Sequence, residues 1–483
     1  MSAPPRSPAD AQAGSQPGKE RLDPALVKLA VILLIGVMPA AFDSTIVNVA
    51  IDPISRGLHT SVSNAQWTVS GYLLALGMAV PIAGWAMARF GGKATWMVAL
   101  ASFMAGSILS SLSWDMGALI GFRIIQGLGG GLMLPVLQNL LVNAAGGRKL
   151  GRIMAAVGIP ALVGPILGPV VGALIIAHLS WRWIFWVNVP FAVTGLVLAW
   201  RRLEHGDTDK AAYLDATGLA LLSPALAALI FGLTQAGMHG GFGHPIVIIP
   251  LVLGVALLGF FVLHALRTTR PPLLDVRLFR ARPFAASTAV MFLNGLGVYG
   301  ALLLLPLYYQ ELRGNSVLDA GLLLAPQGVG MLLTRSQAGK LTDKIGPRPV
   351  VMAGLFLTAV GTIAYTQAGV HTSDVLLALS LVVRGGGLSA MLIAPAATAY
   401  IGLTPDQVPH ASSATRIAQQ VGGSFGTAIM AMILQTQLIA HASAGVAGRA
   451  AAFDNTFWWS LAFTAVAIIP ALALPREGTN TRG

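Results

Sequence analysis

One carboxylate stands where carboxylates are costly. Asp43 lies well inside the apolar run 28–51, whereas Asp52, Asp115, Asp215, Asp319, Asp343 and Asp374 read as loop or span-end residues. Ionised acids in hydrocarbon are expensive and rare, and where they occur they face a cavity or a partner. Burial disfavours the charged form of a carboxyl and a nearby cation favours it. An acid held between the two can therefore bind and release a proton as water access changes. Arg123 is the candidate partner. It lies about seven residues, or about 10 Å, from the outer end of its apolar run, and Asp43 lies about 12 Å from the outer end of its own. The two depths agree, and Gln126, one turn on from Arg123, completes a polar group. Two readings of this group stay open. Asp43 is either the carrier of a coupling proton, tuned by Arg123, or a structural acid whose pairing with Arg123 fastens two helices.

The elements that must position these residues follow from composition. The 483 residues are 55% hydrophobic and only 10% charged, with a mean hydropathy of +0.74. Soluble domains carry about 25% charged residues, so lipid is the expected solvent and the lipid bilayer the first partner. A spanning helix needs roughly 20 apolar residues. Fourteen candidate spans are read near 28–51, 66–87, 94–112, 116–143, 152–177, 181–200, 213–235, 245–266, 284–309, 319–339, 349–369, 375–400, 410–436 and 455–474. Residues 1–27 read as a disordered cytoplasmic tail and 476–483 as a second tail. The first run has an acid and no small-residue cleavage site, so it reads as a span and not a signal peptide. No cysteine is present, which removes disulfides and thiolate metal sites. The excess of Arg over Lys and the many Ala and Gly residues point to a bacterial source.

The net charge of +12 is not a nucleic-acid signal, because the basic residues sit in short clusters between apolar runs. With the N-terminus in the cytoplasm, the inner segments collect Lys28, Arg89, Lys93, Arg148, Lys149, Arg152, Arg201, Arg202, Arg267, Arg270, Lys340, Lys344 and Arg348. The outer ones hold Arg56, Arg182, Arg313 and Arg449. This asymmetry sets both termini inside. The halves also echo each other. GWAMARFGGK from Gly84 matches GKLTDKIGPR from Gly339, and FRIIQGLGGGLMLP from Phe122 matches VVRGGGLSAMLIAP from Val382. The expected fold class is an all-α integral membrane protein of two six-helix bundles related by internal repeat, plus two additional spans. The bundles cover 28–203 and 283–475, and the segment 204–282 holds the two extra helices. Repeats of this kind are typical of transporters, with the substrate path between them.

At these residues the chain resembles the major facilitator superfamily, and more narrowly its fourteen-span drug:proton antiporters of the EmrB/QacA type. FDSTIVNVAIDP from Phe42 is similar to that family's first-span motif and RIIQGLGGG from Arg123 to its buried-arginine motif. GIPALVGPILGPVVG from Gly158 is similar to its antiporter motif, and WRWIFWVNVP from Trp181 to a sixth-span string. The resemblance covers nearly the whole chain after the N-terminal tail. It implies that the first and fourth spans are neighbours, and that Gly158, Gly164, Pro165, Gly168, Pro169 and Gly172 belong to the antiporter motif. It also implies that Gly84, Arg89, Gly91, Lys93, Gly339, Asp343, Lys344, Gly346 and Arg348 form the loop motif that gates the two bundles. One position departs from the pattern. Where the family has Asp in the first loop motif, this chain has Ala88, so the interbundle lock of that copy does not carry over.

Physical chemistry bears on the fifth span independently. Gly164, Gly168 and Gly172 recur every four residues and line one helix face, which lets helices approach closely. Pro165 and Pro169 remove backbone donors and bend a helix. That string is the main reason to expect export; its plain alternative is a tight packing face. Substrate contacts are expected from Tyr72, Asn294, Tyr299, Tyr309, Gln310, Gln327, Arg384 and Gln420, since aromatic and amide groups in an apolar cavity suit flat lipophilic ligands. Ordinary helix packing is the competing explanation for each. Arg384 reads either as a site for anions and carbonyls or as a relic of the repeat, and Arg335 and Arg416 as arginines snorkelling to the interface.

No enzyme is expected. His residues show no metal spacing, and the glycines 127–131 follow no strand and so make no nucleotide fingerprint. The expectation is a proton-coupled exporter of small lipophilic compounds or drugs in the bacterial plasma membrane. It would work as a monomer, with no metal, no cofactor and no nucleic-acid partner, and the proton gradient would be its energy source. The alternatives are a dedicated exporter of one metabolite or lipid, a passive facilitator, or a membrane scaffold without flux.

Overall fold

The computed structural model describes residues 23–145, 150–157, 168, 171–172, 174–204, 206, 208–238, 241–404 and 406–476. In this region the chain is helical, as lipid requires, because a helix satisfies its own backbone groups. The principal helices are α1 (Pro24–Val49), α2 (Trp67–Ala79), α3 (Ile82–Phe90), α4 (Gly92–Ser111), α5 (Met116–Ala144), α6 (Leu150–Val157) and α7 (Asn188–Arg202). They continue with α8 (Ala216–Met238), α9 (Pro245–Arg267), α10 (Arg282–Leu307), α11 (Val317–Ile345), α12 (Pro347–Ile363), α13 (Asp374–Thr398), α14 (Val408–Ala440) and α15 (Gly445–Val466).

Among the described residues, eleven helices are long and apolar enough to cross a membrane, or twelve if α2 and α3, bent by 56° at their junction, are one span. The other two of the fourteen runs read from the sequence are the fifth and the tenth. The fifth span, read at 152–177, lies half outside the described residues. The tenth, read at 319–339, forms α11. That helix runs 29 residues, interleaves its apolar positions with Gln327, Thr334, Arg335 and Gln337, and is not one of the eleven.

The helices sort into two bundles. In the first, α5 packs along both α2 and α4, and α7 packs along α1. In the second, α13 lies between α11 and α12, and α10 runs along α14. Glycine makes these contacts close. A Cβ added at Gly127 or Gly131 would run into the backbone of α2, and one added at Gly129 into that of α4. The repeat shows in its turns as well. Gly91 (φ 82°) and Gly346 (φ 91°) stand at matching places before α4 and α12, in a backbone region that L side chains rarely adopt.

Between the bundles runs the pair α8 and α9. α8 packs on α9 and also touches α2 of the first bundle and α14 of the second. Its start is tied down by Asp215, which is 4% exposed. One carboxylate oxygen accepts from Gly218 N (2.8 Å) and meets His264 Nε2 of α9 (2.8 Å), and the other accepts from Leu273 N (3.1 Å). Burial pushes this carboxyl up, but those backbone and imidazole partners outweigh it and hold it below the usual carboxylate range. A lowered folded-state pKa contributes stability above the unfolded value, about 3.9, and loses it as pH falls through the folded value. The difference in melting midpoint between wild type and Asp215→Asn is therefore expected to shrink as pH falls from about 5 to below about 4. A difference that grows across that acid interval would contradict this account.

Candidate functional site

The polar centre of the first bundle is assembled from four helices. Asp43 (1% exposed) comes from α1, Arg123 and Gln126 (both 0%) from α5, Asn188 (0%) from the start of α7 and Ser107 (0%) from α4. Arg123 Nη1 donates to Asp43 Oδ2 at 2.5 Å and to Gln126 Oε1 at 2.7 Å. Asp43 Oδ1 accepts from Gln126 Nε2 (3.0 Å) and Asn188 Nδ2 (3.2 Å). Asn188 also donates to Ser107 Oγ (3.1 Å), whose hydroxyl donates to Phe185 O (2.8 Å). The guanidinium is held further by Thr68 O, which accepts from Nε at 3.0 Å, and by the Tyr72 ring, whose centroid lies 4.1 Å from Cζ. A buried ion pair is tolerable only when extra hydrogen bonds satisfy its remaining lone pairs and protons. Asp43 is bonded through both oxygens, and Arg123 through Nε and Nη1.

The depth argument brought Asp43, Arg123 and Gln126 together, and the geometry has them in contact. It missed Asn188, Ser107 and Thr68. Asn188 lay inside the string WRWIFWVNVP, and an amide in an apolar span was the available signal. Tyr72, read as a substrate contact, is fully buried and backs Arg123.

The antiporter motif is only partly visible. Gly158, Gly164, Pro165 and Pro169 lie outside the described residues. Gly168 and Gly172 are described. Side chains added there would strike Thr45 and Ile46 of α1, within three residues of Asp43. The motif's small-residue face therefore packs directly on the helix that carries the acid.

The second bundle holds the other buried arginine. Arg384 (3% exposed) donates from Nη1 to Gln327 Oε1 and from Nε to Thr362 Oγ1 at 3.2 Å. Packing fixes its register. Gly127 faces the Tyr72 carbonyl as Gly385 faces that of Gln327, and Gly106 faces Gln126 N as Gly361 faces Arg384 N. Arg384 is thus the counterpart of Gln126 and not of Arg123. Of the remaining substrate candidates, Tyr309 is buried, with its hydroxyl 2.9 Å from that of Tyr365 in an aromatic cluster. Gln310 is half-buried beside it. Tyr299 is partly exposed against Gly423. Gln420 lies across from Gly77 of the first bundle, and Asn294 lines a cavity with Arg384. Asp454 corrects the reading that Asp43 alone is deep, for it lies within α15 and is half-buried.

Contacts between the bundles gather at the end that carries the basic loops. Arg335 (5% exposed) does not snorkel. From α11 it crosses to α6, donating from Nε to Ala155 O and from Nη2 to Met154 O at 3.5 Å. Asp343 faces Arg152 at 3.9 Å, Ser413 donates to Val80 O at 3.3 Å, and Tyr400 to Gln138 Oε1 at 3.4 Å. Gly84 lies against Pro409. Beyond Gly84, the first loop motif differs. Ala88 is exposed and its carbonyl accepts from Asp209 N (2.8 Å), while Lys93 donates to Trp200 O within its own bundle. The two copies of the motif are therefore used asymmetrically.

Comparison with known proteins agrees with this architecture. Residues 33–427 match the family model described as Major Facilitator Superfamily. A "Multidrug resistance protein B homolog" of Mycobacterium tuberculosis is 35% identical over 456 residues, covering 92% of this chain and 84% of that protein. The lincomycin resistance protein LmrB of Listeria monocytogenes is 28% identical, covering 89% and 93%. The tetracenomycin C resistance and export protein of Streptomyces glaucescens is 31% identical, covering 86% and 76%. Among solved structures, the proton:xylose symporter XylE superposes with a TM-score of 0.60 at 14% identity, over 92% of this chain and 94% of that one. The human organic anion transporter MFSD10 gives 0.59 at 17%, over 93% and 96%.

Proposed function

Because the chain belongs to the Major Facilitator Superfamily, we propose that it is a proton-coupled antiporter that exports small lipophilic compounds by alternating access. The observation that carries this reading is the buried Asp43 with its three hydrogen-bond donors. A proton on Asp43 removes the charge that Arg123 pairs with and takes up a lone pair that Gln126 or Asn188 uses. Loading this one acid therefore rearranges contacts among α1, α5 and α7 at once. The resistance names of the relatives support a drug-like cargo.

In this reading the chain has fourteen spans, with the partly described fifth and the long α11 completing the count, and both ends lie in the cytoplasm of a bacterium. The basic end is then the cytoplasmic side. Arg335, Asp343, Ser413 and Tyr400 close it, and the conformation faces outward. Protons enter from outside to Asp43, and the carrier, emptied of substrate but protonated, returns and releases them inside. The tetracenomycin export relative favours one alternative, a dedicated exporter of a single metabolite.

The test is reconstitution of the purified protein into proteoliposomes, with a panel of fluorescent lipophilic dyes. An imposed pH gradient is expected to drive dye uphill, and a protonophore to stop it. Dye movement that only ever follows the dye's own gradient would make the chain a facilitator. Movement of none of the panel would favour the dedicated exporter.

A further inference from the structure

The two buried arginines are neutralised differently. Arg123 has its counter-ion within the chain, at Asp43. Arg384 is as deeply buried, yet its two hydrogen-bond partners, Gln327 Oε1 and Thr362 Oγ1, are neutral. Among the described residues no carboxylate forms an ion pair with it; the described pairs involve Arg56, Arg123, Arg152, His264 and Arg313. A guanidinium cannot shed its proton to escape burial. A lone charge in a low-dielectric interior is costly unless it is paired.

Arg384 also lines a narrow cavity between α10, α12, α13 and α15. Asn294 of α10 shares that wall. It is 1% exposed, and neither its Nδ2 nor its Oδ1 has a hydrogen-bond partner. Thr358 and Ser460 contribute hydroxyls, and Leu388 and Phe463 close the apolar remainder. A buried cation, an unspent amide donor and the Ser460 hydroxyl line one small space, with the Thr358 hydroxyl, which donates to Met391 Sδ, beside them. We propose that this cavity binds a monovalent anion, either a halide or the carboxylate end of a small organic acid, held by Arg384 and Asn294. Charge-assisted hydrogen bonds from guanidinium and amide suit both, and the tight space excludes larger polyanions. The first bundle supplies its own anion as Asp43, and the second takes one from solution. The site stands whether or not the chain exports.

The test is thermal unfolding of the full chain in detergent, in gluconate at constant ionic strength, with chloride, bromide or benzoate titrated in. Wild type is expected to rise in midpoint and to saturate. Asn294→Leu keeps the arginine and is expected to need about 10-fold more anion for half the effect, the loss of one hydrogen bond to a charged group. Arg384→Gln is expected to abolish the response; should it fail to fold, Asn294→Leu and Thr358→Val still decide. A rise with the halides alone assigns an inorganic ion. A rise with benzoate, at lower concentration than chloride, assigns a carboxylate. No rise with any of them, or an equal rise in wild type and Asn294→Leu, would overturn the proposal.

Discussion

Asp43→Asn is expected to cut uphill dye export under a pH gradient at least about 10-fold per folded molecule, while dye still binds. The estimate follows from what the substitution changes. The amide is nearly isosteric but keeps only one acceptor oxygen, so it can serve either Arg123 or the Gln126 and Asn188 amides and not both sides, and it cannot take up a proton in the range where the gradient works. It also leaves Arg123, 0% exposed, without its counter-charge, and breaking a buried pair by removing one partner costs about 3–5 kcal/mol. Lower stability is therefore expected as well, and stability must be separated from coupling. The variant Asp43→Asn with Arg123→Gln removes both charges and is expected to recover much of the midpoint without recovering uphill transport. Asp43→Glu keeps the titratable group and is expected to retain pH-driven export at reduced rate. Were Asp43 only a fastener between α1 and α5, the double variant would restore stability and uphill export together. That outcome would send the search for the proton carrier elsewhere, with Asp454 the next acid inside a helix.

The core of this site was legible because depth is legible. An acid and an arginine, each some seven or eight residues from a span end, must lie at one level, since the helix rise is fixed. What depth cannot supply is rotation about the helix axis. Asn188 and Ser107 lie near the same level as Asp43, but whether an amide in an apolar span faces an acid depends on how α7 packs on α1, and that is a tertiary fact. The same gap misplaced Arg384. The matched strings from Phe122 and Val382 put Arg384 opposite Ile124, yet the packing glycines Gly127 and Gly385 set the register and put Arg384 at the Gln126 level. Arg335 was misread for a related reason. An arginine near a span end snorkels by default, but α6 comes close enough to offer it two carbonyls. Apolar runs gave most of the helices, while the bent α2–α3 pair and the mixed polarity of α11 show where a run of residues is a poor guide to a countable span.

Arg335→Ala is expected to open the basic end of the molecule. Of the described contacts between the bundles, the one made by Arg335 joins a buried charged group to two carbonyls, whereas Ser413 and Tyr400 each offer one neutral hydrogen bond. Hydrogen bonds to charged groups contribute about 1.5–3 kcal/mol, and about 1.4 kcal/mol shifts a two-state balance tenfold. These bonds exist only while that end is closed, so their loss acts on the closed state alone, which is the condition for a population shift. The sequence has no cysteine, so a single Ser413→Cys reports the opening without background. In the closed state Ser413 is 2% exposed. A membrane-impermeant maleimide supplied to the basic side is expected to label it about 10-fold faster in the Arg335→Ala background than in the otherwise unaltered chain. Asp343→Asn should move labelling in the same direction, because it removes the charge facing Arg152. Ala88→Asp should not move it, because Ala88 is exposed beside Asp209 and not at the interface. Equal labelling rates in all four backgrounds would mean that apolar contacts such as Gly84 on Pro409, and not the polar ones, keep that end shut.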